Sequence, residues 1–536
     1  MSQEGKVRPV SRRKFIRAAA ITSGGLALAV CAPRSTPAQA IKRGGQLVAS
    51  KQWTYASLDP HLTSEPEMAG YDALFNTLVR FELVDPKTWE HKLVGDLAES
   101  WQQPDPKTIV FKLRKGVTFH DGSEFDAAAA KWNLERQRDH PKAQLIKVPL
   151  ANVDAVETPD KYTLRLKLKS DSPSLLRLLA FAWGAKLRMV SRAAMDKLGD
   201  EGFARNPVGT GPFKFKQWVT DDRLILERNP NYFEMGADGK SLPYLDGLVF
   251  RYIPDPTVAL VDMRAGSLHV LEWILTKDVA TIKGDPSLAI WEMPWAGQIL
   301  FFGGYNIDAP PFNDVRVRQA ANYGIDREGM AKALGYGVGF PYYYPQWGPA
   351  ALGWDETILK YPYNPAKVKE LLTAAGYPDG VSIELKVISR EPELTIGEFV
   401  QQMWTAVGIK TKMVSQERLS WIDAMRAKKF QACFWRGNLA QPSVESDSLI
   451  TSFTCGSPSN WAQWCDRDVD RLMKEGGAAM DPKKRHTIYR EVFQLIQEKA
   501  YLFTGIAMPL MTSYRKEVQG LTFDFQSPTF HRAWLR

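Results

Sequence analysis

The 536-residue chain carries 69 lysines and arginines against 60 acids, a formal charge of +9, and 44% of it is hydrophobic. Seven of those bases and one acid fall in the first 40 residues, so the remainder stands at 62 against 59. That balance, with no later basic block interleaved with aromatics, excludes a nucleic-acid binder. A mature chain of about 500 residues also exceeds one ordinary core and predicts two or three lobes.

In chain order, Ser11 to Arg17 reads SRRKFIR, and the uncharged apolar run Ala18 to Val30 follows. The order of paired arginines, apolar core and small residues resembles a twin-arginine export signal. The run falls short of the roughly 20 residues a permanent spanning helix needs. Ala38 and Ala40 bracket Gln39 as a signal peptidase requires, so residues 1–40 are expected to be removed and the mature chain to work in the periplasm. Cys31 raises the alternative of a lipid anchor, but Val30 before it is bulkier than the small residue that processing prefers. No later segment is apolar for about 18 residues, so no further span is expected.

Strand and helix signals then alternate without an internal repeat, which predicts a mixed α/β class. Thr108 to Leu113 reads as a strand, with a turn at Asp121 and Gly122 after it. Asp126 precedes a helical run. Tyr162, Leu164, Leu166 and Leu168 alternate with Thr163, Arg165, Lys167 and Lys169, the period of a strand with one buried face. Asp326 also stands before a helical run. Asn364 and Pro365 start a helix through Val368, Leu371 and Leu372 that Gly376 closes. Gly408 leads into a strand at Ile409 to Val414, and Asp481 and Pro482 open a helix through Phe493 and Ile496.

Catalytic signals are weak. The chain has no GxSxG, HExxH or GxGxxG. Gly236 to Ser241 reads GADGKS, but a phosphate loop needs glycine where Glu234 stands, so the segment reads as a plain loop. His120 beside Asp121 reads as a turn residue rather than a base with its orienting acid, and the acid pairs Asp221, Asp222 and Asp466, Asp468 read as solvated surface. There is no CxxC and the seven histidines are scattered, which speaks against zinc. Of the cysteines after the leader, Cys455 and Cys465 close a short loop containing Gly456 and Pro458 and are expected to pair, leaving Cys433 as a thiol. Three separate thiols remain the alternative, because spacing does not establish sulfur geometry. The Gly/Pro-rich stretch holding Tyr342, Tyr343, Tyr344, Trp347 and Trp354 has no helical or strand period to bury them, so it is a candidate pocket wall, with loop covering as the alternative.

The segment Asn206 to Phe233, NPVGTGPFKFKQWVTDDRLILERNPNYF, resembles the signature of the extracellular solute-binding proteins of family 5, which serve ABC importers of peptides, nickel complexes and related solutes. LAESW at Leu97, FKLRKGVTFHDGSEFD at Phe111, DVRVRQAANYGIDREGM at Asp314 and YPYNPAKVKELLTAAGYPD at Tyr361 resemble the same family in order and spacing. The resemblance spans nearly the whole mature chain. It implies a periplasmic-binding-protein-like flytrap of two α/β lobes: lobe I from 42–77, 206–293 and 513–536, a subdomain 78–205 inserted in it, and lobe II from 294–512, with a turn between lobes at the glycines and prolines of Asn206 to Phe233.

It also implies a receptor rather than an enzyme: a cofactor-free monomer that captures a solute between its lobes and delivers it to an ABC permease whose ATPase is on other chains, after passage through the twin-arginine machinery. WRGNLAQP at Trp435 is similar to the segment in which dipeptide binders hold a ligand ammonium with an aspartate, and here Asn438 stands at that position. Arg390, in ISREP, falls where those binders set an arginine against the ligand carboxylate, a surface-loop role being its alternative. Together these imply an anionic or amino-blocked ligand. Trp435, Trp53, Tyr344 and Trp347 complete the expected ligand-lining set, and the likeness of Phe453 to Trp464 to the same binders supports the Cys455–Cys465 pairing. An oligosaccharide binder using Trp435, Trp347 and Tyr344 as platforms, a binder of nickel or haem complexes, and an exported cofactor enzyme are the rival readings.

Overall fold

The computed structural model describes residues 41–62, 69–85, 90–143, 147–180, 186–292, 298–345, 352–438, 453–457, 460–524 and 527–536. The leader with its arginine pair, Cys31 and the cleavage position lies outside the described residues, as do Trp347 and the stretch following Asn438.

Three sheets carry the fold, and the residue patterns explain each. Gln46–Lys51 runs parallel to Gly247–Tyr252, with Leu47 opposite Leu248 and Ala49 opposite Phe250. A parallel pair is covered on both faces, and Gly247 to Phe250 is accordingly buried at every residue. Arg223–Arg228 and Phe213–Val219 extend this sheet on one side; Val270–Leu271, Met511–Arg515 and Leu288–Glu292 extend it on the other, giving seven strands. A strand from the C-terminal end of the chain is thereby built into the sheet that Gln46–Lys51 begins.

The second sheet is antiparallel: Ala98–Asp105, Thr108–Leu113, Thr163–Leu168 and Val153–Asp160, in that order. The strand expected at Thr108 to Leu113 has those bounds. Leu164, Leu166 and Leu168 turn to its core as the alternation requires, at 0%, 0% and 6% exposure. Gly122 makes the turn at φ +87°, a conformation glycine adopts without the Cβ penalty.

The third sheet has six strands in the order Phe340–Pro341, Leu502–Pro509, Gln298–Tyr305, Ala432–Asn438, Val381–Ile388 and Ile409–Gln416. Val381–Ile388 and Ile409–Gln416 pair in parallel, and the helix Glu393–Ala406 between them completes a βαβ unit.

The expected caps are present. Asp126, Asp326, Asn364 and Asp481 each accept a hydrogen bond from a backbone N–H of the following helix's first turn. Beyond Pro365–Ala374, Gly376 takes φ +92° and the N–H of Tyr377 donates to the Leu372 carbonyl, closing the helix end. Cys455 and Cys465 are disulfide-bonded and Cys433 is a buried thiol.

Packing adds to two of the readings made along the chain. The glycines of the Asn206 to Phe233 segment serve close approach as much as turning. A Cβ on Gly209 would lie 2.2 Å from the Leu74 carbonyl oxygen, and one on Gly211 would lie 2.4 Å from the Leu74 carbonyl carbon. The aromatic stretch is partly core: Tyr342 is 1% exposed and packs with Ala507, although no local periodicity announces its burial.

Candidate functional site

The three hydrophobic cores meet around one cavity of about 400 Å³. Phe81 comes from the core of the four-stranded sheet, Phe530 from that of the seven-stranded sheet and Phe523 from that of the six-stranded sheet, and all three line it. Ligand sites concentrate at such junctions because no single core fills them. Trp291 stacks on Phe523 with ring centroids 3.6 Å apart and planes 2° apart, forming an aromatic wall.

The lining also carries ionic groups. Arg80, on the strand Val79–Asp85, donates to Asp96 at 3.1 Å and also to Glu234. Burial works against the Arg80 charge, but Asp96 and Glu234 outweigh it and hold its pKa above the ordinary value. Burial would likewise raise Glu234; Arg80 dominates and brings it down to about 2. Asp96 accepts from Asn76 Nδ2 at 2.9 Å and from the Thr77 N–H at 2.8 Å, but burial outweighs these donors and Arg80 and holds its pKa above the ordinary carboxylate value. Asp72, on the helix Ala69–Leu74, receives Lys186 at 2.7 Å and Arg188 at 3.0 Å. These two cations overcome its desolvation and keep it below the usual carboxylate range. His531 faces the same space, and burial pushes its pKa down to about 4, so the ring is neutral at neutral pH.

Among the described residues, none of those singled out from the sequence lines this cavity; Trp347 lies outside the described residues. Arg390 follows the strand Val381–Ile388 and donates through Nε to Glu393 Oε1 at 2.9 Å. Its side chain is 29% exposed while that of Glu393 is fully buried, and Nε and Nη2 both go to Glu393, so its charge is already countered. Asn438 ends the strand Ala432–Asn438 opposite Ile299. Trp435 is 8% exposed and meets Phe302 edge to face at 4.6 Å, so its ring is packed rather than offered as a sugar platform. Tyr344 lies 4.6 Å from Trp354 with Lys360 Nζ over its ring at 4.9 Å. Trp53 packs edge to face with Trp273 at 6.3 Å.

Two segments read as plain loop have structural duties. His120 Nε2 is 3.0 Å from the Gly211 carbonyl oxygen, and burial lowers its pKa to about 4, so it is a neutral turn residue. The GADGKS loop is clasped by Arg43, whose guanidinium donates to Asp238 at 2.6 Å and 2.9 Å. Glu234, noticed only as the residue that spoils a phosphate loop, is the acid that fixes Arg80.

Comparison with known proteins agrees with this architecture. Residues 92–460 match the model of the bacterial extracellular solute-binding proteins, family 5 middle region. The chain is 28% identical to the dipeptide-binding protein of Escherichia coli over 489 residues, covering 85% of this chain and 88% of that one. It is also 28% identical to haem-binding protein A of Haemophilus influenzae over 462 residues, covering 81% of each. Among solved structures, the periplasmic binding protein DppA of Helicobacter pylori in complex with peptide STSA superposes with a TM-score of 0.79 at 24% identity, covering 92% of this chain and 98% of that one. With a family model matching more than half its length, a mixed α/β fold shared with these binding proteins and a cavity at the junction of its cores, the chain belongs to the bacterial extracellular solute-binding proteins of family 5.

Proposed function

We propose that the chain is the periplasmic receptor of an ABC importer, exported through its arginine-pair leader, and that it captures a small carboxylate-bearing solute such as a peptide or amino-acid conjugate. Lobe I (42–77, 206–293, 513–536), its inserted subdomain (78–205) and lobe II (294–512) close on that solute, and a permease with its ATPase on other chains receives it. Ligand affinity for the closed form over the open form is what drives closure. The chain acts without a cofactor, as a binding protein rather than an enzyme.

The observation that carries this reading is the family match over residues 92–460; the cavity at the junction of three cores is a further pocket, and Arg390 and Asn438 are not among its lining. Relatives named for dipeptide and haem binding support a solute receptor while leaving the solute class open. Arg390 narrows it, because its partly exposed guanidinium, though paired with Glu393, suits a carboxylate, and Asn438 offers no charge for an ammonium.

Titration of the mature protein with peptides, amino-blocked amino acids, sugars and metal chelates, read by tryptophan fluorescence and melting temperature, tests it. A carboxylate ligand is expected to bind, and Arg390→Ala to weaken it about 10- to 100-fold with a cooperative melt retained. Unchanged affinity in Arg390→Ala removes Arg390 from the site. Turnover of any bound compound ends the receptor reading.

A further inference from the structure

We propose that the cavity at the junction of the three cores takes a carboxylate with an aromatic body, its charge received by Arg532 and His531 and its ring by the Trp291–Phe523 wall. This rests on the receptor reading above and places an anion-binding point apart from Arg390.

Most polar groups around the cavity are already used. The carboxylate of Asp96 takes bonds from Asn76, Thr77 and Arg80, and Asp72 takes Lys186 and Arg188. The cations Arg80, Lys186 and Arg188 are therefore committed to acids. Arg532 is different. Its guanidinium lies 3.6 Å from Glu234 and 3.9 Å from Glu82, beyond hydrogen-bond range, and it makes no side-chain hydrogen bond among the described residues. His531 and the Tyr514 hydroxyl also line the cavity and make none among the described residues.

Arg532 is ion-paired with Glu234 and Glu82 but not hydrogen-bonded to either, so the groups with donors left open share one character: a 45% exposed guanidinium with a planar fork, a phenolic O–H and an imidazole. Such a set recognises an acceptor, and a planar carboxylate matches the fork bidentately. A cation finds every lining carboxylate already paired: Asp72 and Asp96 are hydrogen-bonded, and Glu82, 47% exposed, is ion-paired with Arg532. Of the remaining lining, the Thr522 and Thr529 hydroxyls bond each other and the Tyr232 hydroxyl bonds Asn76 and Glu234, while Phe75, Phe81, Leu521 and Phe530 stand with the Trp291–Phe523 stack, so the body attached to the carboxylate is itself apolar and flat. A volume of about 400 Å³ lies within the range of small-molecule sites and admits one aromatic ring with a short acid arm.

Ligand charge and His531 are linked. The charged groups that act on the ring are Glu234, Arg80, Arg532 and Asp72, two of each sign, with Lys186, Asp96 and Glu82 also on the cavity wall. The ring is held neutral chiefly by burial. An added carboxylate favours the imidazolium, so binding takes up a proton and affinity rises as pH falls towards the free ring's value of about 4.

Isothermal titration with phenylacetate, its neutral analogue phenylacetamide and the cation phenethylamine tests the inference, with tryptophan fluorescence reporting on the Trp291 wall. Phenylacetate is expected to bind at least about tenfold more tightly than the amide, and the amine not to bind. Arg532→Gln is expected to lose about tenfold or more for phenylacetate and Tyr514→Phe less, while Arg471→Gln, on the surface helix Arg467–Ala478, changes nothing. His531→Gln is expected to abolish proton uptake measured in buffers of differing ionisation heat. Melting curves establish that each variant is folded. Equal binding of acid and amide, or an unchanged affinity in folded Arg532→Gln, overturns the inference. Absence of phenylacetate binding at millimolar concentration also overturns it; the receptor reading then stands if another solute of the panel binds and falls if none does.

Discussion

His61 is 2% exposed and its two ring nitrogens have opposite duties. Arg136 Nη1 donates to Nδ1 at 2.8 Å, so the proton is assigned to Nε2, which donates to the Arg188 carbonyl at 2.8 Å. A second proton would face a guanidinium that Asp59 and Asp200 hold in place at 2.7 Å and 2.8 Å. Burial, more than this contact, lowers the His61 pKa to about 4. The unfolded chain binds the proton with a pKa near 6.5, so stability is full above that value and is lost as pH falls towards 4. Between pH 7 and pH 5 the loss is about 2 kcal/mol for His61. Guanidinium denaturation at the two pH values measures it, and a folded His61→Gln protein is expected to show a flatter pH profile by that amount. Nothing around His61 in the chain foretold this, since Arg136 lies 75 residues away and Arg188 127.

Elements were far more legible than residue roles. The strand at Thr108 to Leu113, the alternation of Leu164, Leu166 and Leu168, and the caps Asp126, Asp326, Asn364 and Asp481 all rest on neighbours a few residues apart, where backbone geometry dictates side-chain direction. Tyr342 escaped because its burial comes from Ala507 on another strand. Gly209 and Gly211 escaped as points of contact with Leu74, which lies more than a hundred residues away along the chain. Gly211→Ala drives a methyl group against backbone that does not yield as a side-chain tip would, and is expected to lower stability by about 2 kcal/mol or more, read from a denaturant midpoint shift at unchanged slope. The loop closed by Cys455 and Cys465, with a sequence separation of 10, contributes about 3 kcal/mol by restricting the unfolded chain. Cys455→Ser with Cys465→Ser is expected to lose that amount in the same assay.

At the scale of the whole molecule, the proposed receptor must change shape on binding. A solute that contacts both lobes shifts the population only by its extra affinity for the closed form, so small-angle scattering of the mature protein is expected to show a smaller radius of gyration when saturated. A bound ligand that leaves the scattering curve unchanged argues against flytrap closure.

The amino-acid sequence by itself determined the export leader as an expectation, the α/β class, the major strands and helix starts, the cysteine pairing expected at Cys455 and Cys465, and, through motifs running from Leu97 to Asp379, the family. These are local or collinear properties: periodicity, capping and ordered motifs survive being read along a line. The tertiary structure alone decided which charges face the cavity. Arg80 meets Glu234 across 154 residues, and Lys186 meets Asp72 across 114, while His531, Arg532 and Tyr514 arrive from the C-terminal end of the chain. Their roles follow from desolvation and from the donors and acceptors that share the cavity, and those exist only once the three cores have packed together.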